Sequence, residues 1–295
     1  MDKETLGTLL VLGTAIGSGA AIVINRFFVL KVEPVVFTAI RALFIGLVFL
    51  ALSKKFKGES KPVPLWNLAV LGLIGGGLAF LLFFTGLPLT TGGRAAFIHK
   101  TLPVWASLLA LVFLGEKLTD KQKLAMGTAL LGLVVLQYEN LPLDVRTGDI
   151  LALLATILWA VENTLAKRFM RLGETNWRVT FGRMFFGSLF LFSVAALQGK
   201  LHLIAELQPV QWLYIAVSTL LLSWYVLTWY WGLRFINLSK ASSILLLSPV
   251  ISLVLGVLFL NEPVYSLQLV GSALILLGCG ILAGTKSEVA GGGFP

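Results

Sequence analysis

The sequence predicts an all-α integral membrane protein of ten transmembrane helices arranged as a five-plus-five inverted repeat. Three observations carry that prediction. Of 295 residues, 57% are hydrophobic and only 13% charged, against roughly 45–50% and about 25% in soluble domains. The chain divides into ten apolar runs, each near the roughly 20 residues a helix needs to cross a bilayer. Finally, it aligns with itself at a shift of 146 residues, where TLPVWASLLALVFLGE (Thr101 to Glu116) falls on LSPVISLVLGVLFLNE (Leu247 to Glu262).

The first run, at about 5–29, follows MDKET, which is net negative where a secretory signal needs a basic start. Its apolar character also continues past the cleavage-like GSGAA to Ile24, so it reads as a span. The others lie at about 35–53, 65–87, 92–114, 120–138, 148–169, 177–198, 209–234, 239–260 and 266–284. Charges, Pro or Gly mark each break, as in KKFKGESKPVP (Lys54 to Pro64). Five spans fall in 1–142 and five in 143–285; residues 286–295, ending AGGGFP, read as a flexible tail or a cloning remnant. Five is odd, so the second copy enters the membrane upside down relative to the first. With both ends on one side, the loops on that side hold 14 Lys and Arg and the opposite loops 5. The positive-inside rule then expects a multi-pass cell-membrane protein with both termini cytoplasmic.

A net charge of +9 would suit nucleic acid in a soluble protein, but here the cations sit in short loops between apolar runs, so no nucleic-acid partner is expected. One cysteine, Cys279, permits no intrachain disulfide and no thiolate metal cage. The chain has two histidines, His99 and His202, and lacks HExxH, GxSxG and GxxxxGK[ST]. No enzyme, ATP-binding module, metal or cofactor is therefore expected.

The shift pairs Pro103 with Pro249, Glu116 with Glu262, Gly86 with Gly232 and Gly132 with Gly278. A shift of 142 pairs Thr38 and Arg41 with Thr180 and Arg183, and Arg26-Phe27 with Arg168-Phe169. These paired segments, the small-residue helices MGTALLGLVVL and VGSALILLGCGIL, and ATILWAVENTLAKRF in the sixth span resemble the drug/metabolite transporter superfamily, specifically its EamA-type transporters. The resemblance runs from about residue 5 to 284. It implies a central cavity lined by helices of both halves, with the fifth and tenth at the periphery, and export or exchange of metabolites or xenobiotics by alternating access.

Residues kept in both copies read as scaffold. Pro103 and Pro249 each remove a backbone hydrogen bond and permit a bend, and Arg41 and Arg183 read as gating or structural groups able to snorkel to headgroups. Glu116 and Glu262 read as helix caps. Residues that break the symmetry read as candidate substrate contacts. Lys100 and His99 answer to Leu246 and Leu245, and a cation near the bilayer core costs about 2.5–3.5 kcal/mol unless something polar faces it. Trp159, Glu162 and Asn163 share a helix face and answer to Gly17, Ala20 and Ala21, which with Gly13 form a small-residue surface for close helix approach. Glu162 reads as a counter-ion to Lys100 or to a substrate ammonium, or as a proton carrier coupling flux to a gradient. Tyr225 and Trp229 offer an aromatic face. Ser243, with Ser242 and Ser248, adds hydroxyls that often bond their own backbone.

The expected function is secondary transport of a small amphipathic metabolite such as an amino acid, its carboxylate near Lys100, its amine near Glu162 and Asn163, and its side chain among Tyr225 and Trp229. Multidrug or organic-cation efflux is the alternative, with a passive channel or a membrane enzyme behind it. The expected partners are a small-molecule substrate, the bilayer and coupling protons, in a monomer or homodimer.

Overall fold

The computed structural model describes residues 2–28, 31–56, 62–141 and 144–286. Lys57 and Lys61 of the charge count, the expected division at 142 and 143, and the tail from 287 onward lie outside the described residues.

Ten helical spans follow in order: α1 (Lys3–Phe28), α2 (Pro34–Lys55), α3 (Leu65–Leu89), α4 (Gly92–Leu114), α5 (Asp120–Leu136), α6 (Thr147–Arg171), α7 (Asn176–Leu197), α8 (Pro209–Phe235), α9 (Leu238–Leu260) and α10 (Ser266–Ala283). Among the described residues, all except the 17-residue α5 have at least 18 residues and the apolarity to cross a membrane. The sequence limits of every span hold to within a few residues.

The helices start where local chemistry favours it. Pro34, Pro209 and the capping side chains of Glu33, Thr91, Thr119 and Thr175 set the first turns of α2, α8, α4, α5 and α7. At the other end, α4 and α9 both stop on a left-handed residue, Gly115 (φ 62°) and Asn261 (φ 51°). In each, the following glutamate's N–H returns to a carbonyl six residues back, Glu116 to Ala110 and Glu262 to Gly256. Both helices also break near mid-length, at Lys100–Thr101 and at Leu245–Leu246, just ahead of Pro103 and Pro249. A proline cannot donate to the carbonyl four residues back, so the two copies part within one residue of the same place.

Packing obeys the duplication. The principal pairs are α2 with α7 and α5 with α10, each matching itself when the halves exchange; α1 packs on α8 as α6 packs on α3, and α1 packs on α9 as α6 packs on α4. The start of α1 lies by α9 and the end of α10 through Lys240, which meets Glu4 at 3.1 Å and the Thr285 carbonyl at 2.5 Å. The start of α6 lies instead by the start of α4, where Asp149 meets Arg94 and Thr90, both at 2.5 Å. The two copies therefore begin at opposite ends, as an inverted repeat requires.

One close approach lies where α3 crosses α7. There α3 holds a π-helical stretch, Gly72–Leu78, and a Cβ at Gly76 would strike the Arg183 carbonyl and Gly187 of α7. The surface expected on α1 differs from its sequence reading. Gly13 and Gly17 make room for the Trp224 ring, whose Nε1 donates to the Gly13 carbonyl at 3.0 Å, rather than for a neighbouring backbone.

Ionic contacts tie each end of the bundle. At the terminal end, Glu116 accepts from Arg171 Nη2 at 3.0 Å and from the Ser239 N–H at 3.3 Å, so it caps the start of α9 rather than that of its own following helix. Lys167 donates to the carbonyls of Leu233 and Ile236, and Glu174 holds Arg178 at 3.1 Å and the Val63 N–H at 2.9 Å. At the opposite end Lys200 pairs with Glu33 at 2.8 Å, and Arg94 bridges Asp144 and Asp149. Hydrogen bonds from Arg94 and Arg146 pull the exposed Asp144 carboxyl down to about 2, so that contact stays ionised at neutral pH.

Candidate functional site

A cavity of about 330 Å³ lies between the halves, at the small end of the roughly 300–1,000 Å³ range of ligand pockets. It reaches towards the opposite end at Asn25 of α1 and Phe84 of α3; on the terminal side it stops at Ser242 of α9 and Arg183 of α7.

One wall is aromatic. Phe80 and Phe83 of α3 pack on the Trp159 ring of α6 with centroids 5.2 and 5.5 Å away, and the His99 ring meets Trp159 edge-on at 4.7 Å. Trp159 is fixed by donating Nε1 to the Gly75 carbonyl at 3.0 Å, inside the π-helical stretch; such bulges are frequent at functional sites. Asn163 donates to the Trp159 carbonyl at 2.8 Å and accepts from Trp229 Nε1 at 2.7 Å. Tyr225 faces the same space and stacks on Trp229 at 6.2 Å.

Three lining groups are cationic. Lys100, placed at the break in α4, donates to Ser248 Oγ of α9 at 2.7 Å. Arg41 of α2 is 6% exposed, lies over the Phe37 ring at 4.2 Å and donates to Ser218 Oγ at 2.6 Å, which in turn donates to Asn25 Oδ1. Arg183 donates to Tyr230 Oη at 3.1 Å, and its Nε lies 3.8 Å from Glu162. Neither arginine snorkels, since each is held inside the bundle by a hydroxyl.

Of the substrate contacts expected from sequence, Lys100, His99, Trp159, Asn163 and Tyr225 line the cavity, whereas Glu162, Trp229 and Ser243 do not. Glu162 is 0% exposed. It turns away from the face shared by Trp159 and Asn163, accepts from Tyr230 Oη and faces Arg183, so its ionic partner is Arg183 and not Lys100. A Cβ at Gly75 would collide with it, which accounts for a glycine there. Trp229 lies fully buried behind Asn163 and Tyr225. Ser243 donates to its own helix at Ser239, while Ser242 lines the cavity instead. Pro103 lines it and Pro249 is buried away from it.

The sequence reading missed Tyr230, Ser218, Asn25 and the glycine-rich π stretch. Only GLIGGGL (Gly72 to Leu78) carries a local signal, three consecutive glycines in an otherwise bulky apolar span.

Comparison with known proteins agrees with this architecture. The model of the EamA-like transporter family matches the chain twice, over residues 5–138 and 146–284. Protein PecM of Dickeya dadantii (strain 3937) is 30% identical over 255 residues, covering 83% of each chain. Uncharacterized transporter YyaM of Bacillus subtilis (strain 168) is 26% identical over 281 residues, covering 92% of this chain and 91% of that one. A solved crystal structure superimposes with a TM-score of 0.77 at 19% identity, over 95% of this chain and 97% of the other, a likeness of fold alone.

Proposed function

Because the chain belongs to the EamA-like transporter family, we propose that it is a secondary transporter moving a small amphipathic metabolite across the cell membrane by alternating access. The observation that carries this reading is the cavity itself. Helices from both halves line it, it sits at the pseudo-symmetry axis, and it combines an aromatic wall with buried polar groups. The breaks in α4 and α9 border it and supply joints about which one half can rock. Lys100, His99, Trp159, Asn163 and Tyr225 are the substrate contacts in this reading, and Arg41 and Arg183 join them. With the termini in the cytoplasm, as the 14-to-5 charge bias favours, the reach of the cavity to Asn25 and Phe84 supports a reading in which this state is entered from the outside and closed on the cytoplasmic side. Export or exchange follows from solute binding on the cytoplasmic side after the halves rock.

The test is flux in sealed proteoliposomes across a panel of amino acids and aromatic acids. Saturable uptake or counterflow is expected for at least one solute, with Lys100→Leu reducing it at least tenfold, the loss of about one charge-assisted contact. Flux linear in concentration, unchanged in Lys100→Leu, would instead indicate a passive pore.

A further inference from the structure

The cavity contains a charge imbalance that a zwitterion or an organic cation does not answer. Three cationic side chains, Arg41, Lys100 and Arg183, line it, and among the described residues no aspartate or glutamate does. Glu162 stands behind Arg183 and accounts for one of the three. Among the described residues, no carboxylate lies within 4 Å of Arg41 or Lys100; their side-chain hydrogen bonds go to hydroxyls, Ser218 and Thr38 for Arg41 and Ser248 for Lys100, and Arg41 adds only the face of the neutral Phe37 ring. Arg41 Nε and His99 Nδ1 are buried and have no hydrogen-bond partner among the described residues.

A buried cation left to neutral oxygens is under-compensated, and removing water from it is costly until an anion or an acidic hydrogen-bond acceptor arrives. Arginine and lysine together provide planar donors and a point charge, the pair of chemistries that holds a carboxylate or a similar oxyanion. The aromatic wall of Phe80, Phe83 and Trp159 borders the same small volume and suits an apolar body.

Resting on the carrier reading above, we propose that the solute is a net organic anion: a carboxylate or comparable oxyanion held by Arg41 and Lys100, with an apolar or aromatic body against Trp159. The ammonium of an amino acid has no acid to meet in this cavity, so deamino acids bind more tightly than their parent amino acids. Organic cations are excluded by the same charge.

The test uses one carbon skeleton in four charge states: 3-phenylpropionate, phenylalanine, 3-phenylpropionamide and 3-phenylpropylamine. Thermal unfolding of the purified full-length protein is followed with each solute at equal millimolar concentration, since a ligand of the folded state raises the midpoint. The acid is expected to raise it most, phenylalanine and the amide less, and the amine not at all. Arg41→Gln and Lys100→Gln each weaken the acid's effect by about 10- to 100-fold in concentration, the loss of one charge-assisted hydrogen bond, while Arg41→Lys retains part of it. If Arg41→Gln fails to fold, Lys100→Gln carries the comparison alone. An acid no better than the amide or the amine, or an acid effect unchanged in the glutamine variants, overturns the proposal. Saturable carriage of the amine but not the acid in liposomes would also overturn it and leave the carrier reading standing. Acid binding without flux of any solute would count against the carrier reading alone.

Discussion

Replacing Glu162 by leucine is expected to destabilise the fold by about 3 kcal/mol, the lower part of the range for breaking a buried ion pair. Arg183 borders the cavity, where water shares part of the penalty; a fully dry partner would cost more. The loss has three parts: Arg183 forfeits its only carboxylate among the described residues, Tyr230 forfeits its acceptor, and leucine fills the site beneath Gly75 with a different shape. Unfolding midpoints in detergent measure it. The double variant Glu162→Leu with Arg183→Met is expected to recover much of the loss, because removing both charges lifts the penalty that removing one creates. A double variant no more stable than Glu162→Leu would mean that the carboxylate acts through packing and not through its charge.

The second large effect is expected at the terminal end. Glu116 belongs to the first copy, while Arg171 and Ser239, which it holds, belong to the second. In the carrier reading, opening a path on that side pulls them apart. Glu116→Ala removes both contacts from the closed arrangement only, so the loss becomes a shift in population. At about 3 kcal/mol the ratio of the two states moves by about 100-fold. The measurement is labelling of a cysteine placed at Ser18, which lines the cavity, with a membrane-impermeant maleimide. Cys279, the native thiol, is buried and serves as the silent background. Ser18→Cys alone should react from the outer side; with Glu116→Ala it should react from the cytoplasmic side. The same sidedness in both proteins would show that this contact does not hold the seal.

How far the sequence reveals such a molecule depends on which residues are asked about. Spans are legible because bilayer thickness sets a length that no other apolar feature shares. Lys100, Trp159, Asn163 and Tyr225 are legible as lining groups because the opposite copy carries Leu or a small residue or another apolar group in their place. The same comparison reads Arg41 and Arg183 as gating or structural groups and gives no hint that both line the cavity. Being kept in both copies they read as scaffold, yet the cavity straddles the axis that relates the copies, so a residue presented to it by one is presented by the other as well. Glu162 is misread for a different reason. Positions i, i+3 and i+4 lie on one side of a helix but span a wide arc, and only the packing of α3 and α8 determines which part of that arc faces water. Tyr230 and Ser218 of α8 and Asn25 of α1 bond to partners far away in sequence, and no local pattern links them to those partners.

The paired endings of α4 and α9 have a consequence for how such duplicated chains drift. One left-handed backbone position is kept, yet it is met by glycine in the first copy and by asparagine in the second. What has been selected is an angle, and the side chain is negotiable within the few types that tolerate it. Asn261→Gly should therefore be neutral or gain a few tenths of a kcal/mol, whereas Gly115→Ala should cost about 1 kcal/mol, in the same melting assay and although open space surrounds Gly115. Each half of this chain is thus a standing control for the other: a substitution tried at one terminus of the pair can be repeated, in an identical turn, at its mirror.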